Sequence, residues 1–310
     1  MAAIGLQHGE HHDGQIEEPR KVKPVKLARR TKRLNRSWGG TLVLFMFIGV
    51  FAIFTSMPLL LTISNAFKPL DELFLFPPRF FVRNPTMGNF VDLFNQMQQS
   101  WVPFSRYFLN TIIITGFGTT GHLAFASMAA YPLAKNEFPG KAFLFAIVVL
   151  SLMFTGHVTG IPNFLIISAL GFNNTYLAII LPAFSASLGL YLMKQFMEQV
   201  PDSLIESARI DGASEFYIWR KIVMPNVKPA WLTLIIIMFQ GLWGTTGGVF
   251  LRSEELKPLS FAMAQIAGAG IALAGVGAAV GLISMAVPIT FFIISQSKVI
   301  ETMATSGMKD

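Results

Sequence analysis

The sequence predicts an all-α, polytopic membrane bundle with six transmembrane helices, and three observations carry that prediction. Of the 310 residues, 53% are hydrophobic and 13% charged, and the mean hydropathy is +0.54; an ordinary soluble domain carries roughly 25% charged residues. Six apolar runs are each long enough to cross about 30 Å of hydrocarbon at about 1.5 Å per residue. Between two of these runs lies a polar, charge-bearing block, PDSLIESARIDGASEFYIWRKIVMP from Pro201 to Pro225, of helix–turn–helix length. Cysteine is absent, which excludes disulfides, thiolate chemistry and Cys-type metal sites.

In chain order, residues 1–37 are hydrophilic, and from Arg20 to Arg36 they carry nine Lys or Arg with no acid among them. Such a block suits nucleic acid or anionic lipid headgroups; because it directly abuts an apolar run, the expectation is a basic juxtamembrane tail. His8, His11 and His12 sit on that tail without the supporting hydrogen bonds a metal site needs. A cleavable signal peptide is not expected, since the charged region is too long and the run after it too extended. The runs are Trp38–Ile63, Tyr107–Ala134, Ala142–Leu170, Tyr176–Met193, Ala230–Phe250 and Ile271–Ile294, the last with Gly277 and Gly281 in GxxxG spacing. Gly and Pro inside them do not argue against spanning, because neighbouring helices re-satisfy the freed backbone groups.

The basic residues set the orientation. If the N-terminal tail is cytoplasmic, that side holds eighteen of the 24 Lys and Arg, and the other side holds Lys68, Arg79, Arg83, Arg106, Arg252 and Lys257. The positive-inside rule then places both termini and the Pro201–Pro225 block in the cytoplasm. The net charge of +7 reports topology, not a nucleic-acid partner. On the outer face, Ser64–Arg106 contains FLFPPRFF and RNPTMGNF, which suggest a small ordered cap of extended or turn segments. A second loop runs from Arg252 to Gly270. Each either meets an extracytoplasmic partner or packs over the bundle.

Inside the runs the ionisable residues are His122 and His157, expected near span ends as hydrogen-bonded structural residues. With no Asp, Glu, Lys or Arg there, an ion-coupled pathway is disfavoured. No Ser–His–Asp or metal-ligand set points to an intramembrane hydrolase. There is no G-x-x-x-x-G-K-[ST] phosphate loop, so if ATP drives this protein another subunit supplies the engine.

Within the polar block, ESARIDGASEFYIWRKIVMP resembles the E-A-A, then Gly, then I-x-L-P signature of permease subunits of ATP-binding-cassette importers. Glu206, Ser207, Ala208, Gly212, Ile222, Met224 and Pro225 stand in the matching places. Ser207 replaces the usual Ala and Met224 the usual Leu. Asp211 and Ala213 complete an I-D-G-A core similar to the carbohydrate branch. Asn110 to Lys141 is similar to the segment that opens the shared core of maltose-type sugar permeases, and the resemblance covers about Tyr107 to Met303. It implies a basic tail (1–37), a transmembrane permease domain (38–303, with core 107–303 and ATPase-docking loop 201–225) and a C-terminal tail (304–310). The closing SQSKVIETMATSGMKD looks like the tail of permeases for polysaccharide fragments. The implied partners are a second homologous permease, two ATPase subunits that bind ATP and Mg, an extracytoplasmic solute-binding protein, an oligosaccharide and membrane lipid. The setting is a bacterial cytoplasmic membrane, and this chain carries no cofactor and no catalytic residues of its own.

The residues of the block support a rigid knob independently. Ser203 is placed to cap a short helix whose Ile205 and Ala208 form a packing face, while Glu206 presents a carboxylate. Gly212 permits a sharp change of direction, and Asp211 is placed to bond nearby amides at that corner. A second helix from about Ala213 then carries Phe216 to Trp219 before Pro225 ends it. A hairpin lying on the membrane surface would favour Lys and Arg over Glu206, Asp211 and Glu215. The resemblance implies that the knob sits in a groove of the ATPase subunit with Glu206 facing basic residues. For a sugar, aromatic faces and neutral polar side chains are the expected contacts; Gln240 and Trp243 in MFQGLWGTTGG, and Asn163 beside Pro162, are the candidates, against helix packing as the alternative. A permease for another solute such as a polyamine or phosphonate, and a membrane scaffold or receptor that moves nothing, are the other functional classes.

Overall fold

The computed structural model describes residues 38–77, 79–99, 101–154, 156–268, 270 and 273–306, with the side chains of 99, 157 and 298–306 outside that description. The basic tail with its three histidines, residues 307–310 and the His157 side chain therefore lie outside it. The chain divides into two units at Thr55. The described part of the first is the opening of helix α1 (Trp38–Phe67), whose side chains are largely exposed apolar groups such as Phe45, Phe47 and Phe54.

Among the described residues every regular element is helical. Among the described residues four helices are long and apolar enough to cross a membrane: α1; α4 (Phe104–Lys135); the pair α7 (Leu177–Phe184) and α8 (Ser187–Glu198), which together make one 22-residue span; and Ala274–Ser297 within α13 (Ala274–Ser306). These correspond to four of the six expected runs.

The remaining two runs differ from expectation. The third is divided into α5 (Lys141–Ser151) and α6 (Gly156–Ala169), of 11 and 14 residues, each shorter than the roughly 20 residues a span needs. After Ser151 the amides of Leu152, Met153 and Phe154 bond the carbonyls three residues back, those of Val149, Leu150 and Ser151, so the chain leaves the α-helical pattern there. The fifth becomes α11 (Lys228–Trp243), which stops seven residues early at Gly244, and the chain then turns at Gly247 and Gly248, both with positive φ. It meets α10 (Glu215–Asn226) at a bend of 84°.

The loop expected to be extended, Ser64–Arg106, contains α2 (Leu70–Leu73) and a three-turn helix, α3 (Gly88–Gln99). The signal for α3 is Phe90, Leu93 and Met97, whose spacing puts an apolar stripe on one helical face; Leu93 and Met97 are buried. The second outer loop likewise holds α12 (Leu259–Ala267).

Helix α4 is the spine, packing on α7, α8 and α11. Its close approaches use glycines on both sides of the contact: a Cβ on Gly118 would collide with Leu242, and one on Gly189 with the His122 ring. His122 stands in the middle of α4, not near an end, and is fully buried. Its Nδ1 lies 3.3 Å from the Phe184 carbonyl, which the break between α7 and α8 frees. That is the structural role expected of it. The small face of α13 receives other helices too, with Gly281 against Thr62 and Gly277 against Ala267.

Candidate functional site: the polar knob and the face of α11

The knob begins with α9 (Asp202–Ile210). Pro201 precedes it, and Asp202 opens its first turn, where a carboxylate suits the positive end of the helix; Ser203 makes no cap. Ile205 and Ala208 face inward, while Glu206, Ser207, Arg209 and Ile210 are exposed. The Ser207 hydroxyl is engaged within the helix, donating to the Leu204 carbonyl at 3.1 Å.

Gly212 closes the corner. With φ of +80° it occupies the left-handed region that a side chain disfavours. The Gly212 amide donates to the Arg209 carbonyl and the Ala213 amide to the Ala208 carbonyl, each at 3.0 Å, the paired bonds of a Schellman C-cap. The corner amides are thus satisfied by the backbone, and the exposed Asp211 carboxylate is not needed for them, contrary to the sequence expectation. Ser214 then caps α10, its Oγ accepting from the Tyr217 amide at 3.3 Å.

Two clamps tie this corner to the end of α4. Lys135, at the last turn of α4, donates to Asp202 Oδ1 at 2.7 Å and to the carbonyl of Val200. Arg209 donates through Nε to Glu215 Oε1 at 2.7 Å and through Nη2 to Oε2 at 3.2 Å, and the Tyr131 hydroxyl donates to the same Oε2 at 2.7 Å. The hydrogen bonds from Arg209, then from Tyr131, hold the Glu215 carboxyl below the usual carboxylate range; Lys135 does the same for Asp202. Sequence reading missed both clamps, because nothing in local spacing pairs residues 67 or 84 positions apart.

Beneath the corner, Ile205, Ala208, Ile218 and Val223 belong to one buried cluster with Ala130, Tyr131, Met193 and Met197, so the knob is continuous with the packing of α4 and α8. Its outer surface is mixed. Ile210 is 86% exposed, Phe216 and Tyr217 are more than half exposed, and Glu206 and Asp211 are exposed too. A hollow of about 710 Å³ opens at the corner between Gly212, Ala213, Tyr217 and Lys221. Pro225 is exposed near the end of α10. A rigid projection with an apolar tip and flanking carboxylates is suited to docking in a complementary groove.

The candidate solute contacts separate. Gln240 is exposed on α11, on one face with Ile237, Gly241 and Gly244. Trp243 is only 7% exposed, stacked on Phe239 at 5.6 Å and edge-on to Phe108 at 6.4 Å. Its ring is used for packing in this conformation, the alternative weighed against solute contact. Asn163 is half-buried on α6.

Residues 27–301 match the family model described as "binding-protein-dependent transport system inner membrane component". The chain belongs to that family. It is a multi-pass membrane protein and a transport component. Among relatives, it is 34% identical to protein LplC of Bacillus subtilis over 228 residues, 71% of this chain and 73% of that one. It is 31% identical to the arabinooligosaccharides transport system permease protein AraQ of Halalkalibacterium halodurans over 230 residues, 72% and 78% of the two chains. In fold it is similar to a chain of a bacterial ABC transporter involved in the import of the acidic polysaccharide alginate, with a TM-score of 0.71 and 22% identity, covering 85% of this chain and 98% of that one.

Proposed function

We propose that this protein is the membrane-spanning permease subunit of a bacterial ATP-driven importer of oligosaccharides, forming half of the translocation pathway. The observation that carries the reading is the knob: a Gly212-closed corner, clamped to α4, that offers Glu206 and an apolar tip to a soluble partner. Family membership and permease relatives that handle sugar oligomers support it. In this reading the chain crosses the bacterial cytoplasmic membrane six times, α5 and α6 together making the third crossing, with both termini and the knob in the cytoplasm. A second homologous permease completes the pathway. Two ATPase subunits bind ATP and Mg, and an extracytoplasmic binding protein delivers the solute to the cap side.

The coupling follows from packing. Closure of the ATPase subunits displaces the knobs, and Ile205, Ala208, Ile218 and Val223 press that displacement on α4 and α8, because a close-packed interior transmits strain rather than absorbing it. Glu206, Ser207, Ala208, Asp211, Gly212, Ala213 and Pro225 form the docking loop. Gln240, and less directly Asn163, line the solute's path; Trp243 supports that region from behind.

Glu206→Ala and Gly212→Pro are expected to assemble in the membrane while ATP hydrolysis no longer drives uptake. Normal oligosaccharide uptake by both variants would sink the coupling assignment, and uptake of a polyamine or phosphonate instead, in a panel of labelled solutes, would sink the substrate class.

A further inference from the structure

A groove of about 470 Å³ lies under the bend between α10 and α11. Its floor is apolar, made by Leu123 of α4 with Met224, Pro225 and Trp231, and its rim carries Arg220 and Lys228. The groove is built into the chain: the indole N–H of Trp231 donates across the bend to the Met224 carbonyl at 3.1 Å. Both cations are exposed, and among the described residues no carboxylate pairs with either. The acid closest in sequence, Glu215, is engaged by Arg209 and Tyr131, and neither Asp211 nor Glu206 pairs with these cations.

Trp231 and Gln240 are nine residues apart, about two and a half turns, and so lie on opposite sides of α11. If the Gln240 side lines the translocation path, a reading on which this inference rests, the groove faces the other way. We propose that it holds an anionic phospholipid of the leaflet at the knob side, with the phosphate between Arg220 and Lys228 and the first acyl methylenes on Leu123, Met224, Pro225 and Trp231. Unneutralised cations at that leaflet attract anionic headgroups, and a tryptophan with one polar edge suits the same depth. The apolar floor selects lipid over free phosphate, since a soluble anion gains nothing from it.

The test uses the assembled transporter in nanodiscs of phosphatidylcholine with one fifth phosphatidylglycerol, and lipid mass spectrometry of the complex after exchange into detergent. The wild type is expected to retain phosphatidylglycerol over phosphatidylcholine. Arg220→Gln with Lys228→Gln is expected to lower that preference about thirtyfold, whereas Arg252→Gln in the outer loop, also exposed, leaves it unchanged. Equal retention by the double groove variant, no preference in the wild type, or displacement of the lipid by inorganic phosphate alone would overturn the proposal.

The chain has no cysteine, so Leu123→Cys gives a unique position for a photoactivatable label. Labelling of phospholipid supports the site; labelling of the second permease would show that a subunit covers the groove and would overturn it. Lipid retention is read without solute, and solute contact is read separately from uptake by Gln240→Ala, so failure of the oligosaccharide reading and failure of the lipid site are distinguishable.

Discussion

At one end of α4, Lys135 and Tyr131 meet charged side chains of the knob, Asp202 and Glu215. At the other end, Asn110 and Thr111 hold a loop mainly by its backbone. Asn110 Nδ2 donates to the carbonyls of Glu255 and Lys257, both at 2.8 Å, and its Oδ1 accepts from the Tyr176 hydroxyl at 2.7 Å. Thr111 Oγ1 accepts from the Leu259 amide at 2.7 Å. The outer loops repeat this pattern: Asn89 donates to the carbonyls of Ala66 and Lys68, and Asn174 Oδ1 accepts from the amides of Arg252 and Ser253. One helix thus anchors a knob mainly through carboxylates and a cap mainly through main-chain groups, with one cap carboxylate, Glu254, accepting from the Tyr107 hydroxyl at 2.8 Å. The difference is one of exposure: Asp202 is three-quarters exposed and its bond competes with water and salt, whereas Asn110 is fully buried and has no solvent to replace its partners.

The largest effect is therefore expected at the cap end. Asn110→Leu strands the Lys257 carbonyl and the Tyr176 hydroxyl, while the Glu255 carbonyl keeps the Arg106 Nε donor, and should cost about 3 kcal/mol, read as a lowered Tm of the purified protein. A change as small as that of an exposed variant would erase the contrast. At the knob, Gly212→Ala forces a side chain into the left-handed region and should cost about 1–2 kcal/mol; hydrogen exchange should rise across residues 202–215 and leave α4 protected.

Acid should release both clamps together. The carboxyls of Glu215 and Asp202 are depressed in the folded protein, so their contribution is present above the ordinary carboxylate pKa of about 4 and is lost as pH falls through the lower folded value. Hydrogen exchange at the knob should be flat from neutral pH down to about 5 and rise below about 4, while the Asn110 bonds do not titrate. At the cap the same window touches Glu72, whose carboxyl is lowered chiefly by the Arg83 amide, so the turn at residues 83–84 should loosen there too. The smallest effect is expected from Arg209→Ala, which removes one half-exposed pair and should cost under about 1 kcal/mol, and less still in high salt.

The knob was readable in the sequence because its parts are local. Gly212 between two short amphipathic stretches dictates a corner whatever lies around it, and Pro201 and Pro225 bound it. The four spans were readable for the same reason, since 20 or so apolar residues have few alternatives in a membrane. The helix α3 was equally present in the spacing of Phe90, Leu93 and Met97 but was masked by the proline-rich segment before it.

Other features depend on residues far apart in the chain and were decided only by the tertiary structure. Trp243 reads as an aromatic face for a solute until Phe108 and Phe239 are seen to enclose it. Apolar composition alone does not place the break between α5 and α6. Lys135 and Tyr131 find their partners 67 and 84 residues away, and Asn110 bonds carbonyls about 145 residues distant. A main-chain acceptor has the same chemistry at every position, so no residue type in the cap loop announces that Asn110 will hold it. By itself the sequence determined the membrane class, the corner and the family; which side chains lock the corner and the cap to α4 was settled by packing.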